Sequence, residues 1–307
     1  MPRERGSAND NYSRLPAPVI AGAREALIGW RMLTASRRPL PDYLIIGAQR
    51  SGTTSLYNYL VAHPQVMPAV PSKGVHYFDM HAERGLRWYR AHFPTEAQRR
   101  RRPGPAGSPA VTGEASPYYV FHPHGAARAA AAVPDARVIV MLRDPVERAY
   151  SHYQQEYARG FEDSQTFERA LELEPERLDG ERERMLADPG YDSRAYQHHS
   201  YLARGEYADQ VAAWRERFPA ERVLVICTER FFADPRAGYV ETLRFLGLPD
   251  PARMPEFKAY NARPATGMAE ETRARLRVHF AEPNRRLEEL LGMGMGWPSG
   301  EHEQVER

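Results

Sequence analysis

Lysine is nearly missing from this chain: of 42 Lys and Arg residues in 307, only Lys73 and Lys258 are lysine. Any fixed cation is therefore expected to be a planar guanidinium, suited to two-point contact with an anion. The one cysteine, Cys227, excludes an intrachain disulfide framework and agrees with a reducing, cytoplasmic setting. It ends an apolar run, as a packing residue does, and is not read as a nucleophile. No stretch approaches the roughly 20 apolar residues that span a bilayer, so no transmembrane segment is expected. The first residues, MPRERGSANDNYS, lack the apolar core of a signal peptide. Neither sign of charge dominates: a net +2 leaves no broad field for nucleic acid. His122 with His124, and His198 with His199, lack a third ligand at metal-site spacing, so no metal is expected. Nothing in the sequence assigns an oligomeric state.

What is present reads as a globular α/β chain, with 42% hydrophobic and 10% aromatic residues. Residues 1–16 are polar and expected to be mobile. The next stretch, 17–35, spaces Val19, Ile20, Ala23, Leu27, Trp30 and Leu33 as an amphipathic helix. Packing on the main domain is the expectation, with a membrane-surface role the alternative. YLIIG at 43–47, RVIVMLR at 137–143 and RVLVICTE at 222–229 are continuously apolar at their centres, as strands covered on both faces are. AVTGE at 110–114 is a shorter fourth. Helices are expected near 53–62, 145–158, 164–173, 206–217, 236–246 and 269–291. This alternation predicts one P-loop-like open parallel sheet flanked by helices. It places an N-terminal extension at 1–40, a single domain at 41–298 and a tail at 299–307. The four arginines 99–102 read as a solvated turn or a patch for an anionic acceptor, and 168–184 as a solvated helical insertion.

The sharpest signal is GAQRSGTT, residues 47–54, between a strand and a helix. Its glycines, Gly47 and Gly52, are spaced as in G-x-x-x-x-G-K-[ST], but Thr53 stands where lysine would reach a nucleotide's β/γ-phosphates. Amides at such a junction bind an anion whatever the side chains. Ser51, Thr53 and Thr54 add hydroxyls, and Arg50 the cation. A second signal is LRDPVERAYSHY: Asp144 caps a helix that Pro145 opens, so Arg143 emerges at the carboxyl end of a strand. Ser151 and Arg148, three apart, share one helical face; for Arg148 alone a surface ion pair is the expectation. In an open sheet these ends form one crevice. Two anion sites there suggest a nucleotide with phosphates at both ends.

With these residues in view, the chain resembles sulfotransferases that use 3′-phosphoadenosine 5′-phosphosulfate (PAPS), in the branch of the heparan sulfate enzymes and their bacterial relatives. IIGAQRSGTTSLYNYLVAHPQV resembles the 5′-phosphosulfate loop and VIVMLRDPVERAYSHY the 3′-phosphate motif. VPSKGVHYFD, GLRWYRAHFP, GEASPYY, RGEYADQVAAW and VETLRFLGL follow the family's order over about 41–298. The resemblance implies that Arg50 contacts the transferring sulfuryl group and that Ser51, Gly52, Thr53, Thr54 and Ser55 wrap the 5′-phosphate. It implies that Arg143 and Ser151 hold the 3′-phosphate and that Arg263, in a loop over the donor, assists. The product would be the 3′,5′-bisphosphate PAP, with no metal. The missing lysine then has a reason, because no γ-phosphate is held.

Two positions depart from that pattern. Gly74 stands where heparan-type enzymes commonly carry the Glu base, and Ala115 where a Lys often follows Glu114. In an extended segment His76 lies on the same face as position 74 and can serve as base; Glu114 is the rival. The loss of a cation at 115 favours a neutral acceptor, such as a sugar, lipid or small natural product, over a heavily charged glycan. A P-loop kinase or NTPase and a catalytically silent nucleotide-binding homologue are the competing readings.

Overall fold

The structure, a computed structural model, describes residues 17–102, 104, 107–258 and 267–299. Five strands form one all-parallel sheet: β1 Tyr43–Gly47, β2 Val66–Pro68, β3 Val111–Ala115, β4 Arg137–Leu142 and β5 Val223–Cys227, in the order β2-β3-β1-β4-β5. The predicted parallel sheet is borne out. The sequence reading missed β2, whose three residues end in proline and carry no periodic signal.

Both faces of β1 and β4 are covered. Leu44, Ile46, Val138 and Val140 pack with Trp214 and Phe218 on one side. Tyr43, Ile45, Ile139 and Met141 pack with Leu56, Leu60, Leu243 and Leu246 on the other. Alternate residues thus serve opposite layers, which is why these strands are apolar throughout. Because β1 has β3 on one side and β4 on the other, the chain reverses its winding at β1. The carboxyl ends there open a crevice.

The helix after β4, Pro145–Arg159, starts as expected: Asp144 accepts from Val146 N at 2.9 Å and proline takes the first helical position. Gly160, at φ +74°, ends it. Three expectations are corrected. The helix Ala17–Met32 packs on the domain as expected, but through Ile28 and Arg31, which donates to Phe93 O at 2.8 Å; of the predicted apolar stripe, Val19 (51%), Trp30 (65%) and Leu33 (72%) remain exposed. Arg99 is no solvated turn residue; it is buried and donates to Asp42 Oδ1 at 2.8 Å and to Ala110 O at 2.6 Å. The helix Phe167–Leu178 buries Phe167, Ala170 and Leu171 against Val146, Tyr150 and Phe280, so it is part of the core. Among the described residues no helix is long and apolar enough to cross a membrane.

Candidate active site

Glycine at 47 and 52 is required by space and backbone. A Cβ on Gly47 would stand 2.3 Å from Val120 Cγ1, and one on Gly52, which adopts φ +89°, 2.7 Å from the Phe232 ring. Gly52 then starts the helix Thr53–Val61. Arg50, Gly52, Thr53 and Thr54 line a cavity of about 1150 Å³ at this helix start, where backbone amides lack partners within the helix. Ser51 and Ser55 differ from the expectation. Both are buried and outside the lining, and Ser51 Oγ has no hydrogen-bond partner among the described residues.

Arg143 and Ser151 line the same cavity, so two motifs about a hundred residues apart meet. Arg50 Nε donates to Ser151 Oγ at 2.9 Å and its NH1 to Gln155 Oε1 at 2.8 Å. Arg143 NH1 approaches Arg50 O at 3.4 Å. Gln155 was not singled out from sequence, although its i+4 spacing from Ser151 is a usable signal. Arg148 is corrected: it is fully buried, donates to Tyr201 O, and forms no ion pair among the described residues. Arg263 lies outside the described residues.

Aromatic walls also escaped the sequence reading. Phe232, Phe257 and Trp297 line the cavity. Trp297 Nε1 donates to Glu229 Oε2 at 2.9 Å, and Glu229 Oε1 accepts from Asp144 N at 2.9 Å. One carboxylate thus ties the C-terminal segment to the turn after β4. A tryptophan amid the glycines of GMGMGWP was the available clue.

The two candidate bases separate clearly. Glu114 is fully buried and absent from the cavity lining. It accepts from Tyr89 Oη (2.7 Å), Tyr119 Oη (2.9 Å), Val75 N (3.0 Å) and Ser116 Oγ (2.6 Å). Burial pushes its carboxyl up, against these four donors. It is a hub beneath the site, out of an acceptor's reach, and its candidacy as base is corrected on that ground. His76 lines the cavity with 36% of its side chain exposed. Its Nδ1 lies 2.8 Å from Asp79 Oδ2, a fully buried carboxylate. Nδ1–H therefore donates to Asp79, and Nε2 is left as the acceptor. Burial disfavours the imidazolium, but the Asp79 charge overrides it and holds the ring above its ordinary value. A Cβ at Gly74 would come within 3.1 Å of His76 Nε2. The imidazole occupies the room that a longer residue at 74 would need.

Further along the wall, buried Glu156 holds His198 Nδ1 at 2.8 Å and accepts from Gln49 Nε2 at 3.3 Å. Gln49 in turn accepts from buried Arg204, whose guanidinium lies 4.6 Å from the Tyr118 ring centroid. Among the described residues no group of three or more His, Cys, Asp and Glu is arranged to hold a metal.

The chain is similar to known proteins in sequence and in fold. Residues 40–278 match the sulfotransferase domain family. The human heparan sulfate glucosamine 3-O-sulfotransferase 3A1 is 31% identical over 71% of this chain and 47% of its own length. The human bifunctional heparan sulfate N-deacetylase/N-sulfotransferase 3 is 33% identical over 68% of this chain and 22% of its own. The chain thus spans less than half of either relative. A sulfotransferase structure from Alicyclobacillus acidocaldarius superposes with a TM-score of 0.62 at 31% identity, covering 83% of this chain and 97% of that one.

Proposed function

Since this chain belongs to the sulfotransferase family, we propose that it moves a sulfuryl group from PAPS to an acceptor hydroxyl with His76 as the base. The observation that carries the reading is the His76–Asp79 pair at 2.8 Å, facing the cavity that also holds Arg50 and the 52–54 turn. In the transfer the acceptor oxygen bonds to sulfur as the bond from sulfur to the 5′-phosphate oxygen breaks. The electron pair goes to that phosphate oxygen, and the hydroxyl proton goes to His76 Nε2. Arg50 and the turn amides stabilise the charge that gathers on the phosphate. Arg143 and Ser151 hold the 3′-phosphate by a guanidinium fork and a hydroxyl. Phe232 and Trp297, which line the cavity, are the rings on which the donor's adenine would stack. An oxygen acceptor suits a single imidazole, since it gives up one proton, whereas an ammonium must shed one before it can attack. A sugar, lipid or small natural product hydroxyl is the acceptor class; the relatives' names favour a glycan.

Gly74 favours a second reading, a PAP-binding protein without turnover. Both are tested by incubating the protein with PAPS and a panel of hydroxyl acceptors beside PAP titrations. We expect turnover in the wild type and a loss of about 10²–10⁴-fold in His76→Ala, with PAP affinity kept. Turnover unchanged in the variant defeats the base assignment. PAP binding without turnover for any acceptor supports the silent reading, and preference for Mg-ATP defeats both.

A further inference from the structure

Two departures set this chain apart from the pattern it resembles, and His76 answers only one of them. The other is Ala115, which leaves the end of β3 without a cation. Ala115 donates its backbone N–H to Lys73 O at 2.8 Å. Lys73 is therefore pinned beside the very position from which the cation is missing. It lines the cavity with Gly74 and His76, and among the described residues its ammonium has no hydrogen-bond or ion-pair partner. Burial lowers it to about 8, partly offset by the charge of Glu114 beneath. Composition adds weight, because 40 of 42 basic residues are arginine and this place keeps lysine. An ammonium is a compact point charge on a flexible stem, with three donors to offer the sulfuryl oxygens.

We infer that Lys73 is a second cation of the transfer, meeting the sulfuryl oxygens from the β3 side while Arg50 meets them from the loop after β1. The inference rests on the sulfuryl transfer proposed above. His76 must come within about 3 Å of the attacking hydroxyl, and that oxygen within about 3–3.5 Å of sulfur. Lys73 lines the same cavity and its charge acts on His76, which places its ammonium on the side from which the sulfuryl oxygens are met. It orients the group for in-line attack and neutralises the anionic ester as the new S–O bond forms. No proton is transferred to or from Lys73 in this role.

The test uses the difference between PAPS and PAP, since only PAPS carries the sulfuryl group. Both nucleotides are titrated into the full chain and into Lys73→Met and Lys73→Arg, and turnover is measured in parallel. Lys73→Met is expected to lose roughly tenfold or more in PAPS affinity, the size of one charge-assisted hydrogen bond. Its PAP affinity should change less than twofold, its turnover should fall at least as far as its PAPS affinity, and Lys73→Arg should recover part of both. Equal losses for PAPS and PAP in Lys73→Met would make the residue a packing element and overturn the inference. So would unchanged PAPS affinity with a raised acceptor KM, which assigns Lys73 to the acceptor. If the wild type binds neither nucleotide, the donor reading falls and this one with it. A failure confined to the PAPS-to-PAP ratio overturns only the role of Lys73.

Discussion

At the scale of the residue, the site turns on an absent side chain. Gly74 has no Cβ, and one placed there would stand 3.1 Å from His76 Nε2 and 3.3 Å from Ala115 O. The ring is tied at Nδ1 to Asp79 and the backbone of His76 is held by Ser116 Oγ at 2.9 Å. The imidazole can yield only by straining those bonds. Gly74→Ala is therefore expected to lower kcat roughly tenfold, since a displacement near 1 Å can cost 10²-fold, while PAP affinity stays within twofold. Steady-state rates beside PAP titration check this, and an unchanged kcat counts against His76 as base. Alternation in an extended segment was the reason for setting His76 beside position 74; the structure brings them together differently, because His76 adopts φ +55° and the segment is no strand. That Glu114 could not serve as base was illegible, because its four donors come from residues 75, 89, 116 and 119. Ser116 and Tyr119 are near neighbours in the chain, but no local pattern reports that Val75 and Tyr89 converge on the same carboxylate.

At the scale of the element, the strand-to-helix turns do the positioning. The turn after β4 aims Arg143 into the cavity, since Asp144 caps the following helix and is itself fixed through its N–H to Glu229. Arg143→Ala is expected to weaken binding of PAP by tenfold or more, the scale of a charge-assisted contact. Binding of 5′-AMP, which lacks the 3′-phosphate, should change little. Competition titration of the two nucleotides checks it, and equal losses would refute the assignment. Helical spacing rightly put Arg148 and Ser151 on one face of Pro145–Arg159. It did not say which end of that face meets the cavity and which meets the core at Tyr201. The N-terminal helix shows the same limit. Its existence was readable from periodicity, but its docking through Ile28 and Arg31 was not.

At the scale of the molecule, the helix Phe167–Leu178 couples the core to pH. Its buried Glu174 accepts from Leu202 N (2.8 Å) and Ala203 N (3.0 Å), yet burial pushes its carboxyl up to about 7. A carboxyl raised in the fold favours its protonated form there. Its contribution to stability is full below the ordinary carboxyl value and is lost as pH rises through about 7. Denaturant unfolding at pH 5 and pH 8 should therefore show the wild type losing roughly 2–3 kcal/mol more than Glu174→Gln over that span. Equal losses in the two proteins would remove Glu174 as the cause.

The sequence by itself determined the parallel sheet, the glycine turn at 47–52, the Arg143–Asp144–Pro145 helix start and the family likeness. Each is written within a few neighbouring residues as a burial period, a backbone requirement or a cap. Only the tertiary structure decided that Ser51 and Ser55 lie outside the cavity lining, that Glu114 is buried, and that Lys73 and Trp297 line the wall. Those outcomes depend on which side chains from distant segments meet at the carboxyl ends of the strands. Packing and hydrogen-bond satisfaction settle that, and local propensity does not.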